Sequence, residues 1–98
     1  MRTVKVSQNV EEEILNLRTF LIEEWNLSEE AAYKRVARMN SFLKSLGGIV
    51  DYPLCRFKNW RELGYRCVPF EKNWIFAYEI YDNGIIIQDM SHTAILVE

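Results

Sequence analysis

Apolar and polar positions change their period about halfway along the chain. Residues 3–6 alternate between apolar and polar side chains, which predicts a short strand. Residues 10–25 place apolar side chains every three or four positions, which predicts an amphipathic helix of about four turns. Asn9 followed by Glu12 predicts the N-cap of this helix and a carboxylate at position N3. The predicted apolar stripe comprises Val10, Ile14, Leu17, Leu21 and Trp25, widened by Leu15 and Ile22.

A second helical pattern follows after a short interruption. Ser28 stands before two glutamates and predicts the N-cap, and Gly47-Gly48 predicts the end of the helix. The short connection between the two patterns favours neighbouring antiparallel helices, an αα-hairpin. The apolar stripe of the second helix comprises Ala32, Val36, Met39, Leu43 and Leu46, with Phe42 beside them.

The second half of the chain has the pattern of strands. Residues 54–64 predict a loop that contains one helical turn, and the Asp-Asn-Gly sequence at 82–84 is a strong hairpin signal. The order is therefore β-α-α-β-β-β. It predicts an α+β fold in which an N-terminal strand and an αα-hairpin precede a three-stranded antiparallel meander, with the hairpin on one face of the sheet. The three later strands are predicted over 65–70, 74–81 and 85–91.

Length and composition favour one small domain over residues 1–98. The chain is 49% hydrophobic and 13% aromatic with a net charge of −2, which is the opposite of the composition of disordered chains. It has neither the pattern of a signal peptide nor an apolar run of roughly 18 residues, so we expect a cytoplasmic protein without a membrane span. Cys55 and Cys67 form no CxxC pair, which predicts two reduced thiols, with a disulfide as the alternative. With one histidine, a Cys/His zinc site is not expected.

The distribution of charge is uneven along the chain. Residues 1–50 carry seven basic and seven acidic residues, whereas residues 54–74 carry five basic and two acidic ones, a local balance of 5 − 2 = +3. Cations interleaved with aromatic side chains suit contact with RNA or a single strand. The alternative is a structural one, in which the aromatic residues belong to the core and the cations to the surface. The cations are Arg56, Lys58, Arg61, Arg66 and Lys72, and the aromatic residues are Phe57, Trp60, Tyr65, Phe70 and Trp74.

Familiar catalytic signatures are absent from the sequence, which has no GxSxG, no glycine-rich phosphate loop and no HExxH. His92, directly after the last predicted strand, has the ordinary chemistry of a general acid or base. The alternative for this histidine is a surface residue or a hydrogen-bonded structural residue at the end of a strand.

The C-terminal half resembles the RelE/ParE toxin superfamily of bacterial type II toxin–antitoxin modules. The resemblance lies in Tyr65-Arg66 on a strand, in the apolar strand of residues 74–80 that contains Tyr78, and in the isoleucine-rich strand that ends near His92. The preceding αα-hairpin and the N-terminal strand extend the resemblance over nearly the whole chain.

The resemblance implies a toxin that inhibits growth, stabilises plasmids and is neutralised by a cognate antitoxin encoded beside it. One branch of the superfamily consists of mRNA interferases, which cleave mRNA on the ribosome without a metal. The other branch consists of DNA gyrase inhibitors, which act by binding. Neither branch implies a cofactor or a membrane partner.

The two branches can be compared residue by residue. Arg66 and His92 match the arginine and histidine of the cleaving branch, but residues 74–77 and 93–98 lack the cations that its members usually carry there. The gyrase-binding branch accommodates these absences better. A non-catalytic interaction module or a decayed toxin on the same fold is the alternative.

Site residues follow from the same comparison. If the chain is a ribonuclease, the resemblance assigns phosphate charge to Arg66 and Arg61 and proton transfer to His92. It also implies contacts to RNA or to another target from Lys58, Lys72, Trp60 and Tyr78. The apolar residues Ala94–Val97 are expected to pack on the sheet or to form part of a partner groove.

Overall fold

The computed structural model describes residues 2–48 and 50–93. Its order of elements confirms the predicted α+β architecture, with one short helix before the second strand. That helix of five residues confirms the single helical turn predicted within residues 54–64. The elements are β1 (Thr3–Val6), α1 (Gln8–Glu23), α2 (Glu29–Ser45), a 3-10 turn (Leu46–Gly48), α3 (Lys58–Glu62), β2 (Arg66–Phe70), β3 (Trp74–Tyr81) and β4 (Gly84–His92).

The four strands form one mixed sheet in the order β1-β4-β3-β2. The predicted meander is present, since β2 pairs antiparallel with β3 and β3 pairs antiparallel with β4. β1 pairs parallel with β4, and the elements between them supply the long connection that a parallel pair needs. β4 is therefore a central strand. Its central position agrees with its apolar beginning: Ile85 and Ile87 are fully buried on the helix side, and Ile86, on the opposite face, is partly buried.

Both long helices begin at a serine. Ser28 caps α2 as predicted, and its Oγ accepts a hydrogen bond from the Ala31 N–H at 3.1 Å. The predicted N-cap of α1 at Asn9 is wrong, because the Oγ of Ser7 accepts from the Val10 N–H at 3.2 Å. The Ser7 N–H donates to a backbone carbonyl of β4 at 3.0 Å. The sheet therefore fixes the residue at which α1 begins.

The two long helices cover one face of the sheet and form with it the helix-side core. Tyr78 and Phe76 are its largest fully buried side chains. Leu15, which was predicted to widen the stripe of α1, is exposed, and Trp25 lies beyond the end of α1 and is half-exposed. The buried members of the helix-side core are Val10, Ile14, Met39, Leu43, Leu46, Val68, Phe76, Tyr78, Ile85, Ile87 and Met90.

Gly47 permits a close approach between the 3-10 turn and the start of β1. A Cβ atom at this position would lie 2.5 Å from the backbone oxygen of Arg2, and the Arg2 N–H donates to the Gly47 carbonyl at 3.2 Å. The helical segment ends at the two glycines, as predicted, within the 3-10 turn that follows α2. Lack of a side chain, rather than a left-handed backbone, explains the glycine at 47.

The opposite face of β2 and β3 carries a smaller loop-side cluster. The prediction of two reduced thiols is wrong, because Cys55 and Cys67 form a disulfide with their Cα atoms 4.8 Å apart. The chain before α3 folds back beside β2, where Leu54 bridges antiparallel to Arg66. This return brings together two cysteines that the sequence separates. The loop-side cluster comprises Cys55, Phe57, Trp60 and Ala77, with Tyr65, Cys67 and Ile75 partly buried against it.

Within the described residues, the helices are too short or too polar to cross a membrane. Residues Ala94–Val97, for which packing on the sheet or a place in a partner groove was predicted, lie outside the described part of the chain.

Candidate functional site

A groove of about 420 Å³ opens between α1, α2 and the turn that joins β2 to β3. Pockets of this size are typical of sites that accept a ligand or several inserted side chains. The lining is mainly aliphatic and aromatic, with a few charged and amide groups. It consists of Glu13, Asn16, Leu17, Phe20, Leu21, Trp25, Arg35, Met39, Phe70, Glu71, Asn73, Trp74 and His92.

Two exposed aromatic side chains form one wall of the groove. Phe20 and Trp25 pack with their ring centroids 5.9 Å apart, yet they keep 46% and 51% of their surface exposed. The guanidinium of Arg35 lies 5.8 Å from the Trp25 ring, a cation–π contact. Asn26, directly after Trp25 in the turn that follows α1, takes a left-handed backbone with φ 55°. The contacts between Phe20, Trp25 and Arg35 therefore position the two aromatic rings, and about half of the surface of each ring residue stays exposed.

His92 lies on the sheet side of the groove. It pairs with Trp74 across β3 and β4, and the two rings meet edge to face with centroids 5.3 Å apart. The Trp74 ring therefore packs against His92 on the sheet side of the groove.

An ion pair joins α2 to the β2–β3 turn beside the groove. A nitrogen of the Arg38 guanidinium lies 3.1 Å from a carboxylate oxygen of Glu71, which itself takes a left-handed φ of 52°. Both side chains are largely exposed, so the pair adds little stability. The ion pair does partly neutralise the negative charge that Glu71 contributes to the lining of the groove.

Arg66 and Tyr78 belong to a hydrogen-bonded network at the other end of the sheet. Tyr78 is 1% exposed. Its hydroxyl accepts from the Tyr52 N–H at 3.0 Å and donates to Asp51 Oδ1 at 3.1 Å. The Arg66 guanidinium donates to the Tyr52 carbonyl at 2.6 Å, and Arg2 forms an ion pair with Asp51 at 2.8 Å. The network joins the loop after α2 to β2 and β3.

The network shifts two pKa values in opposite directions. Burial raises the pKa of the Tyr78 phenol, and the neighbouring Asp51 carboxylate raises it further. Burial alone would also raise the pKa of Asp51. Hydrogen bonds from Arg2 and Tyr78 and the positive charges of Arg2 and Arg66 outweigh that effect, so the pKa of Asp51 is lowered. At neutral pH the pair is therefore a neutral phenol and an ionised carboxylate, with the phenol enclosed in the core.

The remaining predicted residues of α3 lie on the other face of the sheet. Trp60 is buried in the loop-side cluster, and its Nε1 donates to Asp89 Oδ2 at 3.2 Å. Lys58 and Arg61 are exposed on α3. Trp60 thus anchors α3 to the sheet, and its two cations face outward.

The structure does not bring the predicted catalytic residues together. Arg66 pairs with Tyr78, whereas His92 pairs with Trp74, four residues away on β3. Four residues of strand span roughly 13 Å, and β2 and β4 lie on opposite sides of β3, which adds roughly 10 Å across the sheet. Lys72, exposed in the β2–β3 turn, lies at the His92 end, since its carbonyl accepts from the Thr93 hydroxyl at 3.3 Å.

The register of the sheet separates the two residues that the resemblance assigns to cleavage, Arg66 and His92. Cleavage of RNA needs a cation and a proton-transfer group at one phosphate, and Arg66 and His92 are too far apart for that. Within residues 2–48 and 50–93, no group of three or more His, Cys, Asp or Glu side chains is placed to hold a metal ion. Nor does any buried side-chain nitrogen or oxygen in those residues lack a hydrogen-bond partner.

Sequence reasoning missed the aromatic wall. Trp25 was assigned to the buried stripe of α1, and Phe20 was not considered. One signal was available, since Phe20 is a large aromatic residue adjacent to the stripe yet outside it. A bulky aromatic side chain beside a complete apolar stripe indicates a second apolar surface.

No protein-family model matches the chain, and no curated protein matches it. Among solved structures, one that is similar is the solution structure of HP0894, a conserved hypothetical protein from Helicobacter pylori. The similarity covers 96% of this chain and 97% of that one, at 12% sequence identity and a TM-score of 0.48. A similarity of this extent carries no argument about function.

Proposed function

We propose that this chain is the toxin component of a type II toxin–antitoxin module, which stops growth by binding a macromolecular target. The observation that carries the proposal is an exposed aromatic groove on a fold whose candidate catalytic residues lie apart. The order β-α-α-β-β-β is the one implied by the resemblance to the RelE/ParE superfamily. Recognition without cleavage fits the gyrase-binding branch of that superfamily better than the mRNA-cleaving branch.

We assign the groove to a segment of the cognate antitoxin that inserts apolar side chains. Two of the charged groups in the lining are already engaged, Arg35 by the Trp25 ring and Glu71 by Arg38. A partner is therefore expected to bind mainly to the apolar side chains of the groove. Aromatic side chains that become buried at a protein interface commonly supply most of its affinity.

The cations of α3 are the best candidates for contact with the target. Lys58 and Arg61 are exposed on the face of the sheet opposite the groove, so the target and the antitoxin would use different surfaces. Two exposed cations suit an acidic protein surface. The net charge of −2 argues against ribosomal RNA, where affinity depends on many phosphate contacts.

Induced expression of the chain in a bacterial host is expected to arrest growth, and co-expression of the adjacent open reading frame is expected to relieve the arrest.

Charge reversal of both α3 cations, Lys58→Glu with Arg61→Glu, is expected to raise the amount of protein needed for arrest at least tenfold, because the surface that meets the target changes sign. Growth curves at graded induction, with protein levels measured by immunoblot, give the result.

Lys44→Glu is the matched control, because Lys44 is an exposed cation at the end of α2. It should leave the arrest unchanged, and Arg66→Lys, which keeps a donor for the Tyr52 carbonyl, should do the same. Normal growth on full expression of folded wild-type protein would contradict toxin function. It would favour the second candidate, a non-catalytic interaction module, for which the missing cations of residues 74–77 and the net charge of −2 already argue.

A further inference from the structure

The Cys55–Cys67 disulfide closes a covalent ring around α3. The two cysteines are 12 positions apart, and the residues between them include the whole of α3 and three exposed cations, Arg56, Lys58 and Arg61. Both cysteines belong to the loop-side cluster, and the helix-side core contains neither. The disulfide therefore constrains one surface segment on one face of the sheet and leaves the main core without a cross-link.

Besides the disulfide, backbone hydrogen bonds and two buried aromatic side chains, Phe57 and Trp60, attach this segment to the sheet. α3 has five residues and no side-chain hydrogen bond at its N-terminus, so it is too short to be stable without tertiary contacts. Beside the disulfide, the Cys55 N–H donates to the Tyr65 carbonyl at 2.9 Å and the Cys67 N–H donates to the Pro53 carbonyl at 3.4 Å. The side chains that remain as anchors are Phe57 and Trp60, each 8% exposed in the loop-side cluster, and Trp60 also donates a hydrogen bond to Asp89. Removing the cross-link thus weakens the attachment of the whole segment.

The two cysteine residues differ in their exposure to solvent. Cys55 is 1% exposed, whereas Cys67, on the edge strand β2, is only partly buried. Thiol–disulfide exchange is therefore expected to begin at Cys67 rather than at Cys55.

We infer that the disulfide is a redox-controlled clasp that holds the α3 segment on the sheet in the oxidised form and releases it in the reduced form. The reductant is a dithiol. One of its thiolates attacks Cys67 Sγ, the bond between the two cysteine sulfurs breaks, and the electron pair goes to Cys55 Sγ, which takes up a proton. The second thiol of the reductant then attacks the mixed disulfide and frees Cys67 as a thiol. Overall, two electrons and two protons pass to the chain and the dithiol becomes a disulfide.

The clasp would control the arrangement of the cations on α3. In the oxidised form Arg56, Lys58 and Arg61 are held at fixed positions on a closed ring. In the reduced form the segment gains freedom while the helix-side core persists, because no member of that core is cross-linked. This inference does not depend on the proposed toxin function, since it concerns only the segment and its bond.

Limited trypsin digestion of the full chain, with and without dithiothreitol, tests the inference. Reduction is expected to speed cleavage after Arg56, Lys58 and Arg61 at least tenfold, because a protease needs a locally unfolded segment. Cleavage after Lys34 and Arg35 on α2 is the internal control and should not change. The double variant Cys55→Ser with Cys67→Ser should be cleaved at the reduced rate in both conditions. Peptide mass spectrometry identifies the cut sites, and far-UV circular dichroism follows the fold.

Two outcomes would overturn the inference. Equal cleavage of the α3 segment in the oxidised and reduced chain would show that other contacts hold it and that the bond controls nothing. Loss of the helical circular dichroism signal on reduction, with cleavage on α2 accelerated as well, would show a bond on which the whole fold depends.

Discussion

Tyr78→Ala is expected to lower the free energy of unfolding by about 3–5 kcal/mol, the usual cost of truncating a buried aromatic side chain. Tyr78 is among the largest fully buried side chains of the helix-side core. The substitution leaves a cavity, and it also removes the hydroxyl that serves the Tyr52 N–H and Asp51. Domains of this size have about 5–15 kcal/mol of stability in total, so the variant should be close to unfolding. Urea denaturation followed by circular dichroism measures the loss.

Tyr78→Phe is the matched control, because it keeps the ring and removes only the hydroxyl. We expect it to cost about 1–3 kcal/mol, since the partly buried Tyr52 N–H loses its hydrogen-bond partner. Its growth arrest should match that of the wild type, because Tyr78 is too buried to contact a target. Equal losses of stability in the two variants would contradict the packing assigned to the ring. Loss of arrest in folded Tyr78→Phe would contradict its exclusion from the target surface.

Trp25→Ser is expected to weaken the complex with the protein of the adjacent reading frame about 100-fold, which corresponds to about 2.7 kcal/mol. Trp25 presents half of its surface at the groove, so a partner that covers it buries a large aromatic area. The same variant should still arrest growth, but co-expression of the partner should no longer relieve the arrest. Isothermal titration of purified proteins gives the affinity. Phe20→Ser should act in the same direction.

Tyr33→Ser provides the control for these two substitutions. Tyr33 is an aromatic residue of α2 with 65% of its surface exposed, and it does not line the groove. Its loss should leave the affinity within a factor of two. If Tyr33→Ser weakens the complex as much as Trp25→Ser does, or if neither has an effect, the partner does not bind in the groove.

Local signals in the sequence were sufficient for most of the fold. The alternation at residues 3–6, the cap at Ser28 and the turn at 82–84 each depend on neighbouring residues, and each appears where it was predicted. The N-cap of α1 was misplaced, because Ser7 and Asn9 are both good capping residues two positions apart. Pairing of β1 with β4 decides between them, and that pairing cannot be read from the local pattern.

The candidate site was harder to predict from sequence, because it too depends on contacts between elements that are distant along the chain. Arg66 and His92 were grouped through a resemblance, and only the register of the sheet shows how far apart they lie. The disulfide depends on a segment that folds back beside β2. The groove depends on two helices and a turn that are distant in sequence. A feature built from several elements has no short sequence motif that predicts it. Phe20, an aromatic residue outside the apolar stripe of α1, gave a partial indication of the groove.

We propose that the chain acts by binding its target, without cleavage of RNA. The most direct test is the integrity of mRNA in cells arrested by the chain, measured by primer extension across several abundant transcripts shortly after induction. We predict full-length transcripts with no new 5′ ends, in cells that have stopped dividing. Discrete cuts within translated codons, lost in a folded Arg66→Lys variant, would contradict the account and would assign the chain to the mRNA-cleaving branch.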